Sequence, residues 1–333
     1  MRRLFLNEEV RFRAGWRLLC QFLLYTVGVS LLGSLALGAV AGLSRGAGTG
    51  PSPYASVLFY AGAALVATAT VWVCGRSLDG RPFSGFGLRL DRAWWSDLGF
   101  GLLLGASLMT GIFLVQLAAG WVSVTGSFVG VEGGAFFPAI LAPTALFVCV
   151  GFYEELVSRG YQLTNLAEGL NGAVVGPKGA IVLAWVLSSS VFAAVHLFNP
   201  NTGVLSTLNI FLAGMMLGAG YVLTGRLAIP IGLHTTWNFF QGNVFGFPVS
   251  GLDLVDATFL STRQTGPDLL TGGPFGPEAG LLAPAAMAVG VGLIAIRGLR
   301  RAGKLGLHLP LAESPLAPRG QGLDARGRPT PGS

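Results

Sequence analysis

Eight stretches of this chain, about 17–42, 55–75, 98–120, 136–157, 180–198, 204–224, 227–245 and 279–297, are apolar over nearly the length a helix needs to cross a bilayer. A hydrocarbon core about 30 Å thick takes roughly 20 helical residues. Within it, every backbone N–H and C=O must bond inside the protein, which leaves helices or closed barrels. Runs of this length leave one class open: an all-α polytopic membrane protein of about eight transmembrane helices. Composition closes off the soluble alternative. Only 11% of residues are charged, against about 25% in soluble domains, and the charges collect between the runs. The first run, Leu18 to Leu43, follows Arg2, Arg3, Arg11, Arg13 and Arg17. It is too long for a signal-peptide core of about 7–15 residues and reads as the first transmembrane helix.

The placement of charge gives the topology. Of the 21 Lys and Arg residues, all but Arg45 and Arg263 fall in segments 1–16, 76–97, 158–179, 225–226 and 298–333 or at the adjoining helix ends. Lys and Arg concentrate in cytoplasmic loops, so these segments are expected inside, with both termini cytoplasmic. The same asymmetry explains the net charge of +6. No basic patch with interleaved aromatics is present, so nucleic acid is not an expected partner; the lipid bilayer is. Cys20, Cys74 and Cys149 lie inside apolar runs, without disulfide or zinc spacing, and read as small buried apolar groups.

Four regions are expected: 1–135 with three helices and a cytoplasmic loop, a core over 136–247 with helices four to seven, an external loop and last helix over 248–298, and a disordered Pro-, Gly- and Arg-rich tail over 299–333. Gly101 with Gly105, and Gly214 with Gly218, are small-xxx-small pairs that let helices approach closely.

Ionisable groups inside a bilayer are costly, about 2.5–3.5 kcal/mol each on insertion scales. The core nevertheless carries Glu154, Glu155 and Arg159, then His196, then His234 with Asn238. Glu155 and Arg159 are i, i+4 with the acid first, the favourable order for a helical ion pair. Glu154 is turned about 100° away, so one carboxylate can be structural while the other is free. Phe192 shares a face with His196, and His234 with Asn238. Three helices thus present polar groups inward around an expected central cavity. A carboxylate in a low-dielectric cavity is a usable base near neutral pH, and imidazole and carboxamide donors can stabilise an oxyanion. The same side chains could ligate zinc as a His₂Glu set of Glu154, His196 and His234, or relay protons in a transporter. Residue chemistry alone leaves hydrolysis and transport both open; transporters often carry inverted repeats, and none is visible.

Read together, Glu154-Glu155-x-x-x-Arg159, Phe192-x-x-x-His196 and His234-x-x-x-Asn238 resemble the intramembrane proteases related to the CAAX prenyl endopeptidase Rce, the CPBP or Abi family. Gly85 to Trp95, Asn199-Pro-Asn and the segment after Trp237 are also similar to bacterial members. The resemblance implies an endopeptidase in a bacterial plasma membrane, acting on a membrane-embedded or lipid-anchored peptide. Glu154 would be the base that activates water, His196 its assistant, and His234 and Asn238 the oxyanion pair. Glu155 and Arg159 would be a supporting ion pair and Phe192 a cavity wall. Members are described both as metalloproteases and as metal-independent glutamate proteases. Without an HExxH motif and with Asn238 at the fourth place, no cofactor is expected, zinc being the alternative. A non-proteolytic immunity or scaffold protein of the same fold is the other alternative. The reading makes one geometric demand. If the fourth helix stopped at 157, Glu154 and His196 would stand ~20 Å apart in depth at 1.5 Å per residue. The two can meet only if the fourth helix runs on past Gly160 or the fifth begins earlier, near Val174; the former is expected, with Arg159 pointing into the cavity or snorkelling.

Overall fold

A computed structural model describes residues 5–7, 9–47, 53–130, 135–253 and 257–316. Arg2, Arg3 and the tail from 317 lie outside the described residues, as does the side chain of Arg45. The chain is an all-α membrane bundle; among the described residues, seven helices are long and apolar enough to cross a bilayer. Helix α1 (Ala14–Ala47) packs on α2 (Pro53–Cys74), and α3 (Arg92–Ala118) starts on an Asp91 cap that accepts Trp94 N–H at 2.8 Å. The fourth rod is one continuous helix from Phe136 to Leu170. It is built from α4 (Phe136–Glu155), a π-helical stretch Leu156–Leu163 and α5 (Thr164–Leu170). After it come α6 (Gly176–Val195), α7 (Val204–Thr224), α8 (Ala228–Phe239) and α9 (Leu282–Ala302).

The expected eighth span, 227–245, is present in a different form. It consists of α8 and a π-helical turn, Phe240–Val244, and is shorter than the seven spanning helices. Helix α8 packs against α3, α4 and α7 and is buried around its circumference, from Ala228 and Ile229 through Leu233 to Trp237. Surrounded by protein, it need not match the bilayer thickness. Its glycine contacts follow the small-xxx-small reading: a Cβ on Gly101 would run into the Ile229 carbonyl, and one on Gly105 into the Leu233 carbonyl. Gly214 and Gly218 likewise sit against Ser189 and Trp185 of α6.

Large apolar side chains face outward along the spans, among them Leu65, Leu103, Phe137 and Leu141. That is the surface expected where the solvent is lipid. Cys74 is buried as expected, but Cys20 is exposed on such an outward face of α1, since lipid accepts a small apolar group as readily as a core does.

One expectation, about the tail, is corrected, and the long loop after α8 contains regular structure. Its strand β2 (Thr258–Gln264) pairs antiparallel with β1 (Val122–Val129), and the register shifts between Val124 and Gly126. The alternating polar and apolar residues of 122–129 are a strand pattern that helix-length hydropathy passes over. The tail is not disordered from 299. Helix α9 runs to Ala302, and residues to Leu316 pack back onto the bundle. Leu311 and Ala312 are buried, the His308 N–H donates to the Val222 carbonyl at 2.8 Å, and Asn171 Nδ2 donates to the Ala312 carbonyl at 2.9 Å. Two apolar side chains and a few fixed backbone bonds outweigh the disorder-promoting composition.

The tail also meets the N-terminal segment. Ser314 Oγ hydrogen-bonds Glu9 and Arg11, and Glu168 gathers Arg11 at 2.6 Å, Arg17 at 3.0 Å and Arg81 at 3.1 Å. Residues 9–17 and the described segment up to Ser314 therefore meet at one end of the bundle, which requires α8 to act as the eighth crossing element. Arg17, read from the sequence as a topology charge, is 1% exposed inside this network.

Candidate active site

The expected site residues converge. Glu154, Phe192, His196, His234 and Asn238 line one cavity of about 250 Å³, bounded by α4, α6, α7 and α8 and by the loop after α8. The long fourth rod makes this possible. Running to Leu170, it places Glu154 in its middle, level with the far end of α6, where His196 opens the short turn His196–Phe198. The helix extends past Gly160 as the geometry demands. Its π-helical stretch begins directly after Glu155, where π-turns often mark functional sites.

Close helix approach sets the carboxylates against α8. A Cβ on Gly151 would meet the Thr235 hydroxyl, so the glycine lets α4 and α8 touch one turn before Glu154 and one residue past His234. The two carboxylates separate as their 100° offset requires. Glu155 is fully buried, whereas the Glu154 side chain is 22% exposed toward the cavity. Arg159 Nη1 donates to Glu155 Oε1 at 2.9 Å, and Nη2 donates to the Gly214 carbonyl at 3.1 Å. His234 Nδ1 donates to that same Glu155 oxygen at 2.8 Å. Its other nitrogen, Nε2, faces Glu154 Oε2 at 3.9 Å. Glu155 thus orients an imidazole as well as pairing with Arg159, the sort of carboxylate–histidine contact that fixes a ring and its tautomer.

The second histidine is fixed differently. His196 Nδ1 lies 2.7 Å from the Phe192 carbonyl. A carbonyl only accepts, so Nδ1 carries a proton, and in the neutral ring this leaves the lone pair on Nε2. Phe192 is more than a wall. Its ring is 4.7 Å from the His196 ring and 6.1 Å from that of His234, and Arg159 Cζ stands 4.4 Å over its face. It spaces the two imidazoles and receives a cation–π contact from the buried guanidinium. Asn238 is buried in the cavity wall, and its carboxamide makes no hydrogen bond among the described residues.

Sequence reading missed part of the site. Glu278, on the loop before α9, is 4% exposed and lines the same cavity. Its carboxylate accepts the Ser250 N–H at 2.7 Å and the Ser250 hydroxyl at 2.9 Å, and Asn209 Nδ2 donates to its backbone carbonyl at 2.8 Å. Burial lifts its carboxyl above the usual value for glutamate, against the pull of the Ser250 hydrogen bonds and of nearby His196. A lone acid in a Gly- and Pro-rich loop carries no helical spacing, so no pattern singled it out. Tyr153 was also missed; its hydroxyl donates to Glu154 Oε1 at 3.3 Å.

Among the described residues, no group of three His, Cys, Asp or Glu side chains is placed to hold a metal ion. Glu154, His196 and His234 share the cavity without forming such a group. What the arrangement offers is a partly solvated carboxylate, an imidazole anchored through Nδ1, an imidazole oriented by Glu155 and an unengaged carboxamide. With His234 doubly protonated, Glu154 and Glu155 balance Arg159 and His234, and Nε2–H points into the cavity as a donor.

Residues 136–240 match the family described as Type II CAAX prenyl endopeptidase Rce1-like, the family that the three motifs resemble. The matched segment holds every residue of the three motifs and ends before Glu278. No curated protein and no solved structure matches the chain.

Proposed function

We propose that this chain is a metal-independent intramembrane endopeptidase that hydrolyses a membrane-embedded or lipid-anchored peptide. The observation that carries this reading is the meeting of Glu154, His196, His234 and Asn238 in one cavity inside a helical membrane bundle. The likeness of residues 136–240 to CAAX-type endopeptidases supports it. Glu154 takes one proton from water, and the O–H that remains donates a hydrogen bond to His196 Nε2, which aims the oxygen at the scissile carbonyl carbon. The carbonyl oxygen gathers charge as the tetrahedral intermediate forms. His234 Nε2–H and an Asn238 amide N–H donate to it. Glu154 then returns its proton to the leaving nitrogen as the C–N bond breaks, so the site ends as it began. General base and oxyanion donors each contribute roughly 10²–10⁴ and 10²–10³ in rate. Glu155, Arg159 and Phe192 hold His234 and the cavity in place. The arginine-rich end of the bundle faces the cytoplasm with both termini.

Purified protein reconstituted into liposomes with a fluorogenic peptide bearing a lipid anchor tests this. Cleavage by wild type that survives a chelator and is lost in Glu154→Gln is expected. Cleavage that needs added zinc would overturn the metal-independent mechanism. A proton-driven solute flux without cleavage would favour transport instead.

A further inference from the structure

Helix α3 begins and α9 ends at the same end of the bundle, and four arginines meet there. Arg92, Arg297, Arg300 and Arg301 line one cleft of about 650 Å³ whose floor includes Phe100 and Ile296. Buried Asp97 is the only carboxylate that pairs with any of them among the described residues. It takes Arg297 at 3.3 Å and also Arg301. Arg297 donates to Ser96 Oγ at 2.6 Å and lies 5.4 Å over the Phe100 ring. These contacts fix two of the four guanidiniums. Arg92 and Arg300 form no ion pair among the described residues and are exposed. Four positive charges against one negative leave an excess of three.

The positive-inside preference accounts for arginine at this end of the bundle. It does not account for four of them converging on one cleft with an apolar floor. Exposed Leu293 and Ile296 continue that floor along α9 toward the lipid-facing surface. Trp95, 56% exposed beside the cleft, is the residue type that settles at headgroup depth. A ligand suited to this place carries a phosphate for the guanidiniums and a hydrocarbon chain for the floor.

We propose that the cleft between α3 and α9 is a binding site for an anionic phospholipid, its phosphate held between Arg92 and Arg300 and an acyl chain lying along Ile296 and Leu293. Arg297 and Arg301, already locked on Asp97, shape the site and keep its field positive. Clefts of basic residues between helices recognise acidic headgroups in this way. The inference does not depend on the protease reading.

Native mass spectrometry of the full-length protein, offered phosphatidylglycerol and phosphatidylcholine in equal amounts, tests it. Wild type is expected to retain phosphatidylglycerol about tenfold over phosphatidylcholine, and R92Q/R300Q to lose most of that preference. Because neither arginine has an ion-pair partner to leave behind, the double variant should fold. R76Q/R89Q removes two charges from the same end of the bundle, outside the cleft, and should keep the preference. Equal retention of the two lipids by wild type would overturn the proposal, as would an equal loss in both double variants. Displacement of the lipid by inorganic phosphate alone would make the ligand a soluble anion rather than a lipid.

Discussion

Glu155 Oε1 accepts two hydrogen bonds at once, from Arg159 Nη1 at 2.9 Å and from His234 Nδ1 at 2.8 Å. One buried oxygen therefore joins the fourth rod to α8 and sets which His234 nitrogen faces the cavity. Among the described residues, its neighbour Glu154 accepts from the Tyr153 hydroxyl at 3.3 Å, hydrogen-bonds no other helix and looks into the cavity. The two adjacent carboxylates should respond in opposite ways to the same substitution. Glu155→Gln strips Arg159 of its counter-charge, and breaking a buried pair costs about 3–5 kcal/mol. Glu154→Gln should leave stability nearly unchanged. Thermal unfolding in detergent should show a large fall in Tm for the first variant and almost none for the second.

His196 and Asn238 test the chemistry rather than the fold. His196→Ala should lower kcat/KM by about 10²–10⁴, and Asn238→Ala by about 10²–10³, with unfolding temperatures near that of wild type. A loss of activity that only tracks a loss of stability would assign both to packing.

The approach of α3 to α8 depends on a missing side chain. Gly105→Val would push a side chain into the Leu233 carbonyl, next to His234. Overpacking of this kind costs about 1–3 kcal/mol, and activity should fall with it because α8 carries His234 and Asn238. Gly99→Ala, where a Cβ meets nothing within 4 Å, should be neutral. The comparison is made by unfolding and cleavage assays on the same preparations.

Glu278 gives the loop before α9 a pH dependence. Burial raises its carboxyl above the usual range, so the folded protein holds this proton more tightly than the unfolded chain does. Its contribution to stability is full below the ordinary glutamate pKa, about 4.3, and is lost as pH rises through the higher folded value. Glu278→Gln cannot titrate and can still accept from Ser250. Relative to that variant, wild type should lose stability as pH is raised from about 4 toward neutrality. Parallel Tm-versus-pH curves for the two proteins would contradict this.

The bundle was legible because lipid imposes a simple rule: runs of apolar residues become spans, and seven of the eight runs did among the described residues. The core motifs were legible for the same reason inverted, since an acid or imidazole in such a run needs a purpose. Helical spacing alone separates Glu154 from Glu155 and pairs Phe192 with His196. Hydropathy failed where tertiary contacts decide. It misjudged α8, which is enclosed by protein. It passed over β1 and β2, whose pairing is distant in sequence, and it gave no sign that Leu311 and Ala312 would dock the tail. Glu278 escaped because its place in the site is set by Ser250 and Asn209, not by any periodicity of its own segment.

The most direct test of the central claim compares protein termini in membranes from cells making wild type or Glu154→Gln at matched folded levels. New C-termini that appear with wild type and vanish with Glu154→Gln are expected, and they would identify the substrate as well. Identical termini in the two, with the protein's cellular effect retained by Glu154→Gln, would contradict a proteolytic role for this cavity.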